Sequence, residues 1–591
     1  MSQQQNNDMQ QHFYRASAKD FSKIPGSPVA YWASNNLLHA FEVGDQLKVV
    51  AIPRQGLATM DNSKFTRLWH EISLKVFSAF SIDAEDSKWF PYNKGGDFRK
   101  WYGNQEVVVN WENEGLEIKQ LSISRYGSAS KRVVNEESYF LPSITWSKIS
   151  SSKPSFRYQP EGAIFDVAGM SIFPPKEKSK LLLALLNSKL VLRILEILSP
   201  TLNFEAGQIG AIPVISTGLD IDERLKKLVS NAQNDWDSYE TSWNFTSLPL
   251  LHLKHRKPTI KASHQQLISH WHEAILEMQR LELENNCLFI DAYGLQDELT
   301  PDVSLSEITL TCNPHYRYGG NLTDEEREAR LQSDTLCELI SYAIGCMMGR
   351  YSLDREGLVY AHAGNEGFKA LVEEGAYATF AADDDGILPL TSENWFSDDV
   401  AARIEEFVST VWGKEPLEEN LKFIADSLCL YAVKPVKKGG ETARETIRRY
   451  LSSQFYKDHL KTYKKRPIYW LFRSGKEKAF ECLVYLHRYN ESTLPRMRTE
   501  YVTPLLGQIA SRIERKRMEQ TEASTAEAKR IGKEIDCLNK QLTELRAFDD
   551  QLKHHADMRI RLDLDDGVKV NYGKFGTLLS DVKAITGDKG E

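Results

Sequence analysis

Apolar positions along the 591-residue chain change rhythm several times, and each change marks an element boundary. From about 46 to 215 they come in short β-type runs, at 47–52, 107–111, 144–149 and 163–168, broken by Gly, Pro and Ser. An apolar stretch with helical spacing follows at 181–198, and a return strand closes the segment at 209–214. The pattern predicts one α+β domain over 46–215. Ahead of it, a Gln/Asn-rich stretch and a helix-like piece at 30–41 make a polar tail and helical spacer over 1–45. Behind it, a helical connector spans 216–310, with 266–283 its clearest amphipathic run, and a mostly helical domain spans 311–510. In 511–591 the residues Ile531, Ile535, Leu538, Leu542, Leu545 and Leu552 recur at near-heptad spacing over a charged helix. That spacing predicts a long helix and C-terminal cap, packed either as a coiled-coil seam or against its own domain. The expected fold class is α+β: an α/β domain followed by a mostly α-helical region that ends in this long helix.

Charge adds one asymmetry. The net charge of −8 excludes a uniformly basic coat, yet 46–215 holds 21 Lys+Arg against 17 Asp+Glu. Seven cysteines, none before Cys287 and none spaced CxxC, point to buried thiols in a reducing cytoplasm. The N-terminal MSQQQNNDMQQ has no apolar leader segment, and Lys189, Arg193, Glu196 and Glu338 interrupt the most apolar helical stretches. A cytoplasmic protein without a membrane partner is expected.

The densest chemistry lies at 89–111, WFPYNKGGDFRKWYGNQEVVVNW. Lys94, Arg99 and Lys100 stand there among Trp89, Phe90, Tyr92, Phe98, Trp101 and Tyr102 and around the pair Gly95-Gly96. Cations suit phosphates, and guanidinium or amide groups suit base edges, whereas a buried aromatic cluster with solvated charges would look similar. A second cluster at 144–158 carries Lys148, Lys153 and Arg157 in a Ser-rich turn. Other chemistries lack an anchor: no GxxxxGK[ST] loop and no GxGxxG after a strand occurs. His264, His270 and His272 lack the acid or thiolate set of a metal site, and Asp383 to Asp385 read as a solvated loop. Asn313-Pro314-His315-Tyr316 is a near-match to the Asn-Pro-Pro-Tyr tetrapeptide that holds a flipped adenine. Its third residue is wrong and no cofactor turn precedes it, so no catalytic residue is assigned.

Many specific stretches carry a resemblance. FSKIPGSPVAYW (21–32), PRQGLATMDNSKFTRLWHE (53–71), WFPYNKGGDFRKWYG (89–103), ITWSKISSSKPSFRY (144–158) and IFDVAGMSIFP (164–174) are among them, as are LLALLNSK (182–189), LNFEAGQIGAIPV (202–214), DWDSYETSW (235–243), LTCNPHYRYG (310–319), RPIYWLFRSGKEKAF (466–480) and LDLDDGVKVNYGKFG (562–576). Over nearly its whole length the chain resembles the C-terminal half of the PglX family, the adenine-specific DNA methyltransferases of bacterial BREX phage-defence systems. The resemblance implies a DNA target-recognition domain at 46–215 and helical domains behind it. It implies S-adenosylmethionine as cofactor of an N-terminal methyltransferase half, with none bound by this chain and none of that half's motifs present in it. At Met60 the family pattern leads one to expect glycine.

These readings combine into one expectation: the DNA-recognition and partner-docking portion of a site-specific adenine-N6 methyltransferase, inactive without its N-terminal half. A free-standing DNA-binding specificity or defence-complex interaction module without chemistry is the alternative. Expected partners are duplex DNA and the methyltransferase half or other BREX components. The candidate DNA contacts are Arg54, Lys64, Arg67, Lys94, Arg99, Lys100, Lys148, Lys153 and Arg157. Arg54 and Arg99 are favoured for base edges, and Arg99→Ala is expected to weaken binding while sparing the fold.

Overall fold

The computed structural model describes residues 17–80, 87–150, 153–215, 222–436 and 440–587, so the Gln/Asn-rich stretch at the N-terminus lies outside the described residues. The chain forms two units that are not consecutive blocks: one is 1–66, 81–236 and 270–320, the other 67–80, 237–269 and 321–591. Both helices and strands are present, with helices predominating, so the fold is mixed α+β.

The first unit contains β1 (Asp45–Gln46), β2 (Pro53–Arg54), β3 (Trp89–Asn93), β4 (Val107–Asn110), β5 (Ser143–Ser147), β6 (Phe156–Gln159), β7 (Ile164–Phe165), β8 (Gly169–Ile172) and β9 (Pro213–Val214). An antiparallel sheet runs in the order β2-β8-β5-β6, while β3 pairs antiparallel with β4 and parallel with β7. Sequence periodicity locates these strands only roughly. The run at 47–52 forms a single helical turn, Leu47–Val50, and most of 209–214 is the helix Ala206–Gly210 followed by β9, which pairs with β1. The apolar stretch at 181–198 is two helices, Lys176–Leu186 and Lys189–Leu198. Their break has a cause: the Asn187 amide brackets the backbone of Phe156 with two bonds of 2.9 and 3.0 Å.

Strand alternation gives the four-stranded sheet two unlike faces. Register puts Pro53, Ile172, Ile144 and Tyr158 in one row and Met170, Trp146 and Phe156 in another, on one apolar face. The opposite face carries Arg54, Ser171, Thr145 and Arg157 in a row, flanked by Ser143, Gln159, Ser147 and Gly169. Although polar throughout, this face is mostly covered: Ser171 is 0%, Thr145 1% and Arg157 1% exposed.

In the second unit β10 (Ile387–Pro389) and β11 (Tyr469–Arg473) flank β12 (Glu481–Tyr485) in an antiparallel sheet. Its core gathers Trp470, Phe472, Phe480, Phe548 and Phe575. The helices Thr503–Glu522 and Thr525–Asp557 pack on each other, with Ile509 and Ile513 buried in the same cluster as Ile531, Ile535, Leu538, Leu545 and Leu552. Near-heptad spacing here serves packing within the unit. Glu544, on the second helix, accepts bonds from Ser474 Oγ (2.7 Å) and the amides of Glu477 (2.6 Å) and Ala479 (3.2 Å), which pins the β11–β12 turn.

Candidate nucleic-acid interface

The segment 93–103 lies over the polar sheet face and is tied to it by side-chain and backbone hydrogen bonds. The Asn93 amide donates to Thr145 Oγ1, and Ser147 Oγ both accepts from the Gly96 amide (3.0 Å) and donates to its carbonyl (2.8 Å). The Arg99 amide donates to Ser155 Oγ at 3.1 Å, and Trp101 exchanges backbone bonds with Phe156 (2.9 Å) and Tyr158 (2.8 Å). A Cβ on Gly169 would overlap the Asn93 carbonyl, and one on Gly56 would overlap the Phe165 carbonyl, so these two glycines allow backbones to meet.

Three of the nine candidate cations are interior. Arg99 is 3% exposed; its guanidinium donates to Asp235 (2.7 Å), Thr311 Oγ1 (2.9 Å) and the Tyr102 carbonyl (2.9 Å), and stacks 4.9 Å from the Trp236 ring. Lys100 is 8% exposed and pairs with Glu282, which also accepts from Trp101 Nε1 at 2.8 Å. Arg157 donates through Nη1 to the Arg99 carbonyl (3.1 Å) and Ser155 Oγ (3.3 Å), while its Nε and Nη2 are buried without a hydrogen-bond partner. Burial pushes its guanidinium down to about 10. The expectation that Arg99→Ala spares the fold is therefore corrected: Arg99 compensates a buried carboxylate. Arg67 belongs to the second unit, where its guanidinium donates to the Asp565 carbonyl at 2.6 and 3.0 Å, and burial lowers its basicity.

The other five are partly or well exposed. Arg54 bonds Asn135 Oδ1 (3.1 Å) and Glu137; Lys64 pairs with Glu117 (2.9 Å), Lys148 with Glu205 (2.8 Å) and Lys153 with Glu307 (2.5 Å). Lys94 donates to Asn62 Oδ1 at 2.6 Å and lies 3.9 Å from Asp166; burial lowers its ammonium from the ordinary value, and Asp166 opposes that shift. Lys64 stands on the one-turn helix Asn62–Phe65, and Lys94 is tied to the same helix through Asn62. Just after β5, the Ser150 amide (3.1 Å) and the Lys148 carbonyl (2.7 Å) tie the chain to the 202–204 strip. Asn62, Thr59 and Asp166 escape a reading that looks for cations. Asp61, the cap of that short helix, is their sequence signal.

The tetrapeptide at 313–316 is occupied by its own surroundings. Asn313 is fully buried; its Nδ2 donates to the carbonyls of Leu305 (2.7 Å) and Ile308 (2.8 Å), and Tyr316 donates to the Phe98 carbonyl (2.6 Å). Among the described residues no group of three or more His, Cys, Asp or Glu is placed to hold a metal, and no helix is long and apolar enough to cross a membrane. Among the described residues no strand runs into a glycine-rich turn that opens a helix.

No protein-family model matches the chain. Two named relatives do. The chain is 48% identical over 586 residues to the adenine-specific methyltransferase BrxX of Escherichia coli O9:H4 (strain HS), an alignment that covers 98% of this chain and 47% of the relative. It is 39% identical over 588 residues to the adenine-specific methyltransferase PglX of Lacticaseibacillus casei (strain Zhang), covering 97% and 46%. The chain spans about half the length of the relatives it matches, so coverage bears out the relationship read from the sequence but does not assign the chain to one half of them. Along nearly its whole length, the chain is similar to the adenine-specific methyltransferases BrxX and PglX, about half of whose length it spans.

Proposed function

We propose that this chain is the DNA-recognising and partner-docking portion of a BREX-type adenine-N6 DNA methyltransferase, with S-adenosylmethionine binding and methyl transfer supplied by a segment outside this sequence. One observation carries the reading: the 93–103 segment of the first unit is fixed from beneath by buried polar bonds, while Arg54, Lys64, Lys94, Lys148 and Lys153 keep 27%, 58%, 30%, 31% and 50% of their side chains exposed. A rigid frame with surface cations suits phosphate contact, because a solvent-exposed pair such as Lys64–Glu117 contributes only about 0–1 kcal/mol and yields readily to a phosphate. Arg99, Lys100 and Arg157 are withdrawn from the contact set; Arg99 and Lys100 act by holding the frame through their buried carboxylate partners.

The test is selection of the purified chain against random duplex DNA at two salt concentrations, with sequencing of the retained pool. One short enriched motif is the expected outcome. Salt-sensitive retention with no motif would reduce the chain to a phosphate holder, and no retention at either salt would remove the DNA reading.

A further inference from the structure

Asn62 is exposed, yet its side-chain oxygen already accepts two hydrogen bonds, from Thr59 Oγ1 at 2.7 Å and from Lys94 Nζ at 2.6 Å. An ammonium can only donate, so the Asn62 atom that faces Lys94 is the oxygen and the amide has a single orientation. Both donors are held from within. Thr59 is buried, and Lys94 lies beside Asp166. Asp166 in turn accepts from the Tyr92 hydroxyl (2.5 Å) and the Ala168 amide (2.6 Å), and Tyr92 also donates to the Leu57 carbonyl at 2.8 Å. A buried tier thus orients one surface amide.

The outward group is Nδ2, which has no hydrogen-bond partner among the described residues. An asparagine that reads adenine needs both atoms, accepting from N6 and donating to N7. With its oxygen occupied, Asn62 can only donate. Guanine presents two adjacent acceptors, N7 and O6, in the major groove. We propose that Asn62 is a specificity-determining residue that reads a guanine through Nδ2, with Lys64 and Lys94 placed for the neighbouring phosphates. The proposal rests on the DNA-recognition reading and names the base edge that reading leaves open.

The test uses the whole chain. Its motif is found by duplex selection, and affinities are then measured with guanine replaced by adenine at each guanine of the motif, which exchanges the O6 acceptor for an amine donor. At one position the parent should prefer guanine by about tenfold. In Asn62→Asp, which keeps the bonds to Thr59 and Lys94 but turns the outward donor into an acceptor, and in Asn62→Ala, that preference should fall to within about twofold, with other positions unchanged. Thermal melting of each variant reports whether the fold is kept. A preference that survives in both variants overturns the proposal, as does a loss of affinity spread evenly over all sequences, which would mean a phosphate contact. A parent motif without guanine overturns it too. A parent that selects no motif removes the recognition reading, and this inference with it.

Discussion

Single residues decide how closely the segments meet. Gly169 lies where a Cβ would overlap the Asn93 carbonyl and crowd the Gly95 amide, both of them backbone. Gly169→Ala is expected to destabilise the first unit by about 1–3 kcal/mol, seen as a lower melting temperature, because backbone on two sides cannot yield. Unchanged melting would mean that the 93–103 segment is not seated on β8. Asp383 offers a pH-dependent case. Its Oδ1 accepts from the amides of Asp385 (3.1 Å) and Gly386 (2.7 Å), and burial, then the neighbouring Asp385 carboxylate, push its acid up to about 8. The folded state therefore holds a proton that the unfolded state releases from the ordinary carboxylate range upward. Stability from this group is fully present below the unfolded value and is lost as pH rises toward about 8. Melting followed from pH 5 to 9 should show that decline in the parent and less of it in Asp383→Asn; equal slopes would assign the decline elsewhere. Some of this scale is legible in sequence. The glycine expected at position 60 corresponds to a backbone with φ +64°, a left-handed conformation that Met60 occupies at a cost. The partners of Arg99 and Lys100 were not legible, because Asp235 and Glu282 lie 136 and 182 residues away and no local pattern points to them.

At the scale of elements, the first unit has an unusual layer: a polar sheet face covered by a polar segment. Period-2 reasoning detects the strand β5 but sees Ser143, Thr145 and Ser147 as the solvent face, since polar alternation normally means water. Asn93 and Gly96 take the place of that water on Thr145 and Ser147. The two arginines of the layer separate by what they compensate. Arg99→Met would leave Asp235 with two backbone donors, Thr311 (2.6 Å) and Cys312 (2.9 Å), but no counter-charge, and should cost about 3 kcal/mol. Among the described residues Arg157 pairs with no carboxylate and has two unpartnered nitrogens, so Arg157→Met removes a desolvated charge along with two modest hydrogen bonds. Its melting temperature should match or exceed the parent's. Chemical denaturation of both variants checks the contrast, and an Arg157→Met loss as large as that of Arg99→Met would show that the Arg157 charge is compensated after all. The helix Thr525–Asp557 was more legible: apolar spacing over 531–552 located it, but as part of one long helix from about 511, and spacing alone could not say whether it packed on another chain or within its own domain.

At the scale of the molecule, contact and sequence order part ways. Residues 67–80 and 237–269 belong with the C-terminal part of the chain, while 270–320 belong with the N-terminal part. Cuts placed at 45, 215 and 310 by changes of apolar rhythm cannot reveal such interleaving, since rhythm reports local structure and not the unit a segment packs into. Arg67 shows the consequence, standing in a motif shared with Lys64 yet packing against Asp565. The cations left for DNA are few, and this makes the salt dependence quantitative. If Lys64, Lys94, Lys148 and Lys153 each neutralise one phosphate, the logarithm of the binding constant should fall with the logarithm of salt with a slope of about −3 to −4. Replacing all four by glutamine should remove most of that slope, each single replacement about one unit of it, and Asn62→Ala almost none, because an uncharged amide releases no counterion. Binding isotherms across a salt series measure this directly. A slope that survives the fourfold replacement would place the phosphate contacts on a different surface of the chain.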